Sequence, residues 1–569
     1  MVWVLGVSGS HNGAAALYRD DELVCAVQEE RLTRTKRAVL YPGRASLAVD
    51  AVLADQGIGP GELDMVVSAP LTDPHLDQQR IDLHPTLGAR PHRTLSHHLA
   101  HALSTYACSG FGDATALVVD GMGSFMRDLP AAERAVVLDA DRHAEVAGER
   151  RETVSIYACD HGRIVALEKQ VGRTGYAPAA MPTRLGPFAS LGLMYQQVAR
   201  LTFASWDAAG KVMGLAPYGT VRYGRDAFFE VAGDGTFDFR DDALGIGGDV
   251  GHLPLYPAEA AQHADLAASV QAALEEGLLE LVRRARALSS SRRLVCAGGV
   301  FLNSVANERI LRSGLFDEVF VVPFAEDSGT AVGAAFQGVV DLLGPRAGRR
   351  LAADALGPRP TDHAAALTLA QSHGAQVESP PEMWLAIAQR IATGQAVGFF
   401  SGRSELGPRA LGQRSILYDP RRPDGNRELN RLKGREAFRP FAPAVLLPYA
   451  GVWFDLGAWP DSPFMLRVAA VHPERRAQIP AVTHVDGSAR PQTVVPGASP
   501  LAHVIAAFHA LTGVPMVLDT SFNLAGEPIV ESAYDAVRTF LASELQALFL
   551  DGVLVTKVAP TGTRLAHAP

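Results

Sequence analysis

The chain has 569 residues, a formal net charge of −9, and 47% hydrophobic and 20% charged residues. That length exceeds what one hydrophobic core organises, so two or more domains are expected, and the acidic balance excludes a general duplex-binding surface. Four scattered cysteines with no CxxC pair exclude a disulfide framework and a thiolate-built zinc site; no apolar run reaches the ~18 residues of a membrane span, and MVWVLGVSGSHNG lacks a signal-peptide pattern, so a cytoplasmic enzyme is expected.

In chain order, the first element is an apolar run closing on a glycine loop, VWVLGVSGSHNGAAAL (Val2–Leu17), followed by helical periodicity in ASLAVDAVLADQG (Ala45–Gly57). TLSHHLAHALSTY then places three histidines in an otherwise apolar Leu/Ala helix. His97 and His101, four apart, share one face at about 5–6 Å between Cβ atoms; His98 and His101, three apart, serve equally, so spacing leaves the chelating pair open. TALVVDGMGS (Thr115–Ser124) repeats the strand-then-glycine grammar and carries Asp120. A long helical stretch (Ala264–Leu288) ends in Arg283, Arg284 and Arg286, as suits a helix C-terminus. RRLVCAGGVFLNS (Arg292–Ser304) is the third strand–glycine segment, and PFAEDSGTAVGAA sets Asp327 in a glycine-rich turn. Three such loops, able to converge on one anion, indicate an α/β fold of two lobes with a nucleotide between them. Asp120 and Asp327 each border an apolar run and are candidates to complete a metal site, although capping and turn formation are the ordinary roles of Asp. A His₂Asp₂ set favours a divalent ion such as Fe²⁺, Mn²⁺ or Zn²⁺.

Residues 344–362, GPRAGRRLAADALGPRPTD, have little apolar period and mark a boundary between domains at 1–350 and 365–569. Beyond it, PEMWLAIAQRIATGQAVGFFSGR reads as a helix and then a strand. The stretch 401–444 carries ten basic residues against five acidic ones, an excess of +5 in an acidic chain. Such an excess points to a pocket for a small, highly charged anion; a solvated, salt-bridged helix face is the ordinary alternative. The chain closes with a strand (VPMVLDTSFN), a helix (YDAVRTFLAS) and ALFLDGVLVTK read as one strand. No internal repeat of 20–50 residues is visible.

Together, SGSHNGAAAL, SHHLAHA, VVDGMGS, GKVMGLAPYG, CAGGVFLNSVAN and PFAEDSGTAVGAA resemble the N-terminal domain of the O-carbamoyltransferases, the family of the nodulation-factor, cephamycin and nebramycin carbamoyltransferases. SELGPRALGQRSIL, LNRLKGREAFRPFAPAVL and DTSFNLAGEPIVES resemble that family's C-terminal domain. The resemblance implies an ASKHA-type, Kae1-like N-terminal domain and a YrdC-like α/β C-terminal domain. It further implies that the C-terminal domain converts carbamoyl phosphate and ATP, with Mg²⁺, to carbamoyl-adenylate, and that the N-terminal domain passes the carbamoyl group to an acceptor hydroxyl beside an iron-containing site. By motif position the metal ligands are His97, His101, Asp120 and Asp327, leaving His98 to support them or to face the acceptor. His11 matches the family's histidine and is the candidate to bind or deprotonate the acceptor hydroxyl; the family usually follows it with Asp, and Asn12 here cannot act as a base. In the basic stretch Lys433, Arg435 and Arg439, spaced two and four apart, are the candidate phosphate and carbamoyl contacts, and Ser521 and Asn523 fit hydroxyl and amide contacts to the same ligand. Arg490 and Lys211 are further phosphate candidates, whose ordinary roles are a solvated loop arginine and a surface lysine. Gly298, Gly299 and Asn303 fit a loop under the adenosine and its phosphates.

The expected enzyme is thus an ATP- and metal-dependent O-carbamoyltransferase of small-molecule, antibiotic-type biosynthesis, with no nucleic-acid or membrane partner. A homodimer is in keeping with the resemblance. One rival is a tRNA threonylcarbamoyl-type transferase, against which the acidic charge speaks. Another is an ASKHA-type small-molecule kinase, which would need no carbamoyl phosphate. Acceptor determinants are expected in the loop Pro70–Arg93 and in an insert around YACDHGRIV.

Overall fold

A computed structural model describes residues 1–40, 45–71, 87, 90–138, 150–173, 190–240 and 253–557. The chain divides into two compact units, the first formed by residues 1–358, 406–408 and 465–469, the second by 359–405, 409–464 and 470 onward.

Strand β1 (Trp3–Gly9) is buried along almost its whole length, as its unbroken apolar run requires. It lies in a five-stranded sheet with β2 (Ala14–Arg19), β3 (Glu22–Gln28), β4 (Met65–Pro70) and β5 (His92–Thr94), in the order β3-β2-β1-β4-β5. The first three strands are antiparallel, and β4 and β5 continue parallel to β1. A second sheet is built from β6 (Asp113–Val119), β7 (Arg150–Asp160), β8 (Arg163–Arg173), β9 (Arg293–Ala297) and β10 (Glu318–Val321). Its order is β10-β9-β6-β7-β8, with the short strand Val137–Leu138 beyond β8. Here too the trio β6-β7-β8 is antiparallel, and β9 and β10 run parallel to β6. One topology is therefore used twice, the two-lobed ASKHA-type arrangement.

Helix α1 (Leu47–Gln56) turns Ala48, Val49, Val52 and Leu53 into the core over the first sheet. Helix α2 (His97–Ser109) follows β5, and α3 (Ala260–Leu288) and α4 (Ser304–Arg312) flank β9 in sequence. Helix α5 (Gly329–Leu343) follows β10. Helices α2 and α5 meet backbone to backbone: a Cβ on Gly333 would fall 1.9 Å from the Ala100 carbonyl oxygen. Segment 465–469 joins this unit through Arg467, whose guanidinium pairs with Glu308 on α4 at 2.8 and 3.0 Å. Segment 406–408 joins it through the Gly407 carbonyl, which accepts from Arg31 at 2.8 Å.

The second unit is α/β as well. Its eight-stranded sheet comprises β11 (Gln376–Glu378), β12 (Val397–Phe400), β13 (Arg414–Tyr418), β14 (Ala442–Leu446), β15 (Gln492–Val494), β16 (Met516–Ser521), β17 (Ala547–Leu550) and β18 (Val553–Thr556). Their order is β11-β18-β17-β12-β13-β16-β14-β15. Helix α6 (Gly425–Leu432) leads into the basic run.

Two expectations need correction. ALFLDGVLVTK is not one strand but the hairpin β17–β18, because Asp551 and Gly552 take φ of 42° and 98° and reverse the chain in a tight turn. The segment around YACDHGRIV is no insert: it is the turn between β7 and β8, paired across the second sheet. Of the loop Pro70–Arg93, residues 72–86 and 88–89 lie outside the described residues. Among the described residues no helix is long and apolar enough to cross a membrane.

Candidate metal and anion sites

The duplicated topology brings four donors together in the first unit. Helix α2 opens at His97 and carries His101 one turn later. Asp120 occupies the turn after β6, and Asp327 stands two residues before α5. All four are buried, both histidines at 0% exposure. His97 Nε2 lies 3.2 Å from His101 Nε2, 3.5 Å from Asp120 Oδ2 and 3.4 Å from Asp327 Oδ1. His101 Nε2 lies 3.8 and 3.6 Å from the same two carboxylate oxygens. A divalent ion with ligands at about 2.1 Å has tetrahedral edges of roughly 3.4 Å, so these donors have the spacing of one coordination sphere. The halves contribute in parallel: the turn after the first strand of each supplies His11 and Asp120, and the chain after the last strand of each supplies His97 with His101 and Asp327.

The electrostatics agree. Burial works against an imidazolium at His97, but Asp327 and Asp120 outweigh it and raise its pKa to about 10. Burial works against a carboxylate at Asp327, yet His11, His97 and His101 hold it well below the usual range. Asp120 is lowered against burial by its contact with His97. Two buried carboxylates therefore demand positive charge at this point; a proton on His97 meets part of that demand, and a divalent cation would meet it fully. His98 is different: burial and the nearby Lys169 keep its ring neutral. Its Nδ1 lies 2.8 Å from Ser155 Oγ, which places it in the supporting structure.

The other residues singled out in this unit have visible employment. His11, with its side chain 45% exposed, contacts Asp327 Oδ2 through Nδ1 at 3.3 Å. The Gly299 N–H donates to Asp120 Oδ1 at 3.1 Å, so the loop fixes one oxygen and leaves the other facing the histidines. Gly298 has φ 99°, and any Cβ there would sit 2.2 Å from the Val119 carbonyl. Asn303 caps α4 by accepting from the Ala306 N–H and exchanges amide bonds with Gln271. Lys211 lies over the Phe203 ring at 5.2 Å.

The second unit gathers cations. Lys433, buried at the end of α6, reaches the Ser521 carbonyl, Ser521 Oγ at 3.3 Å and Asn523 Oδ1 at 3.0 Å. Ser521 Oγ in turn donates to Asn523 Oδ1 at 2.6 Å. Arg409, Arg435, Arg439 and Arg490 lie within electrostatic reach of one another, and Arg490 and Lys433 both act on Asp519, two residues before Ser521. Burial and then Arg439 lower Arg435 to about 9, and burial with Arg439 and Arg435 lowers Arg490 to about 10. Arg409 is pushed down by burial, Arg490 and Arg439. A guanidinium keeps its proton at neutral pH, so these shifts register burial first and neighbouring like charge second, both of which a bound anion would relieve. The Nε atoms of Arg435 and Arg490 lack a hydrogen-bond partner among the described residues. Four other cations of the stretch have partners elsewhere. Arg414 is buried against the Phe400 ring and backbone carbonyls, and Arg421, Arg427 and Arg431 pair with Asp419, Asp424 and Glu544.

Arg409 is the member of this cluster that sequence reasoning passed over. Its loop is shaped by Glu405, whose Oε1 accepts from the N–H groups of Leu411 and Gln413 at 2.7 and 2.9 Å. The signal was present in the turn sequence GPRALG, where an arginine is held between glycines and a proline.

Comparison with known proteins fixes the class. The chain matches the family description "Carbamoyltransferase N-terminus" over residues 3–80 and 76–336, and "Carbamoyltransferase C-terminus" over residues 388–557. The chain belongs to the carbamoyltransferase family and is an enzyme of that class. Among its relatives, nodulation protein NolNO of Sinorhizobium fredii is 34% identical, covering 96% of this chain and 79% of its own length. Nodulation protein U of Rhizobium tropici is 29% identical, covering 98% of both chains. Of the solved structures, full-length HypF in its phosphate- and nucleotide-bound form overlaps 60% of this chain and 56% of its own at 12% identity and a TM-score of 0.36, too slight an overlap to bear on this chain.

Proposed function

We propose that this carbamoyltransferase draws its carbamoyl group from carbamoyl phosphate, activates it with MgATP in the second unit, and delivers it to a hydroxyl of a small-molecule acceptor of antibiotic or related type. The observation that carries the reading is a group of mutually repelling arginines, Arg409, Arg435, Arg439 and Arg490, in the same unit as Lys433, which contacts Ser521 and Asn523, in a chain of net charge −9. Such a cluster matches a ligand with several phosphate oxygens and a polar amide, with guanidinium forks on phosphate and Asn523 and Ser521 on the carbamoyl end. In the activation step carbamoyl phosphate, ATP and water become carbamoyl-adenylate, inorganic phosphate and pyrophosphate. In the transfer step the acceptor oxygen bonds to the carbamoyl carbon, AMP leaves, and the hydroxyl proton is released.

In the first unit, His97, His101, Asp120 and Asp327 are the residues that would hold an Fe²⁺ or similar divalent ion. Bound there, the ion supplies Lewis acidity to an oxygen of the carbamoyl donor. Asp327, in contact with His11 Nδ1, favours the tautomer protonated there, and the other ring nitrogen is then available to take the acceptor proton. Gly298 and Gly299 stand beside Asp120 where a nucleotide phosphate would approach; Asn303 and Lys211 are assigned to shaping that loop and its neighbour. Buried, unbridged cysteines support a reducing cytoplasm as the site of action.

The test is product analysis with carbamoyl phosphate, ATP, Mg²⁺ and a panel of hydroxylated small molecules. A carbamate ester with AMP and pyrophosphate is the expected outcome. ADP with a phosphorylated acceptor would identify a kinase instead, and carbamoylation confined to tRNA would move the acceptor to a macromolecule.

A further inference from the structure

The metal-site reading leaves one question open in the geometry: what aims the two imidazoles. Ligating histidines are ordinarily oriented by a hydrogen bond at the second ring nitrogen. Here Nδ1 of His97 and Nδ1 of His101 are buried with no hydrogen-bond partner among the described residues. Their aim must then come from where the backbone of α2 is set.

The N-terminus of α2 is held in an unusual way. Ser96 stands at the N-cap, yet its side chain accepts no N–H from the helix. Its hydroxyl turns to Glu133, at 2.8 and 2.9 Å from the two carboxylate oxygens. The helix N–H groups are met from elsewhere: His97 N–H donates to Ser124 Oγ at 2.9 Å, and His98 N–H points to Glu152 Oε2 at 3.4 Å. Glu152 Oε2 also accepts from the Ser124 N–H at 3.0 Å, so one carboxylate fixes both the helix start and the residue that caps it. The other Glu152 oxygen meets Lys169, which is wholly buried on β8 and also reaches Glu133 at 2.8 Å, Tyr157 Oη at 2.7 Å and Ser155 Oγ at 3.0 Å. Ser155 contacts His98 in turn. Gly123 completes the fit, because a Cβ there would come within 2.8 Å of both the His98 ring and Glu152 Oε2. The turn after β6 that this network grips also carries Asp120. One buried device therefore sets the two histidines and one aspartate relative to each other.

We propose that Ser124, Glu152 and Lys169 are positioning residues for the metal site, holding the start of α2 and the Asp120 turn in the register that aims His97 and His101. The inference rests on the metal reading above. Glu152 cannot be replaced by its amide without loss, because Lys169 on one side and backbone N–H groups on the other are all donors. In Glu152→Gln the side-chain NH₂ group would face one of those donors in either orientation of the amide.

The experiment is titration of the metal-depleted, full-length protein with Co²⁺, read by visible absorption, alongside thermal melting. Wild type should bind one ion with the spectrum of mixed nitrogen and oxygen ligation. Ser124→Ala and Glu152→Gln should weaken binding by about 10–100-fold and change the cobalt spectrum. Val52→Ala, a core truncation on α1, should lower the melting temperature and leave both cobalt readouts unmoved. Wild-type affinity and spectrum in Ser124→Ala would overturn the inference, and that variant decides the matter if Glu152→Gln does not fold. Failure of wild type to bind any cobalt would instead overturn the metal reading beneath it.

Discussion

Asp120 is held by Gly299 on one oxygen and faces His97 and His101 with the other, so its orientation is set by a backbone amide from the loop after the neighbouring strand β9. The same economy governs His97. Its pKa of about 10 lies above the ordinary 6.5, so in the metal-free protein it contributes stability fully present below pH 6.5 and lost as pH rises through 10. The metal-free melting temperature should therefore fall across that window, and loading with a divalent ion should remove the dependence. Binding near pH 8 should release about one proton per ion, measurable by calorimetry in buffers of differing ionisation enthalpy. In the second unit, Arg409→Ala should raise KM for carbamoyl phosphate by about 10- to 100-fold, the range expected for one lost charged contact. Equal KM values in the two proteins would remove Arg409 from the anion site. The histidines and aspartates were readable because residue types that chelate stood beside glycine turns and apolar runs. Glu152 and Lys169 were not, since a charged residue inside a strand reads as a solvent-facing position until the strand is seen to be covered. Arg409 was one cation among ten, and only the fold shows that it stands within electrostatic reach of Arg439 and Arg490.

Helices α2 and α5 carry or border three of the four donors, and their contact has no room for a side chain at Gly333. Gly333→Ala should wedge them apart and destabilise the first unit by about 1–3 kcal/mol, with weakened cobalt binding as the companion effect. Unchanged cobalt affinity in a destabilised Gly333→Ala protein would mean that the helix contact serves stability alone. Most elements at this scale were legible: the apolar runs became β1, β6 and β9, and the period of residues 45–57 became α1. ALFLDGVLVTK was misread because the apolar runs on either side were joined across Asp551–Gly552, although that dipeptide is the sequence signal of a two-residue hairpin turn. The turn at YACDHGRIV was taken for an insert because a polar turn between two long strands resembles a loop when the pairing partner is unseen.

The duplicated sheet was invisible as a repeat. The halves share strand order and direction, but their strands are separated by unequal lengths of chain, and backbone pairing places few demands on which apolar residue is used. What survived in sequence was the strand-then-glycine grammar, which marks where each half meets its ligand. The second unit was legible mainly through its excess of positive charge. Its crowded arginines predict that phosphate or carbamoyl phosphate stabilises the protein, by about 2.7 kcal/mol at a hundred times Kd, read as a concentration-dependent rise in melting temperature. The central claim is that carbamoyl phosphate is activated by adenylation, and it is tested most directly by pyrophosphate–ATP exchange without any acceptor. The account predicts label passing from pyrophosphate into ATP only when carbamoyl phosphate and Mg²⁺ are present, and a loss of about 10²–10³-fold in Lys433→Ala. No exchange in the wild-type protein, or exchange indifferent to carbamoyl phosphate, would contradict it.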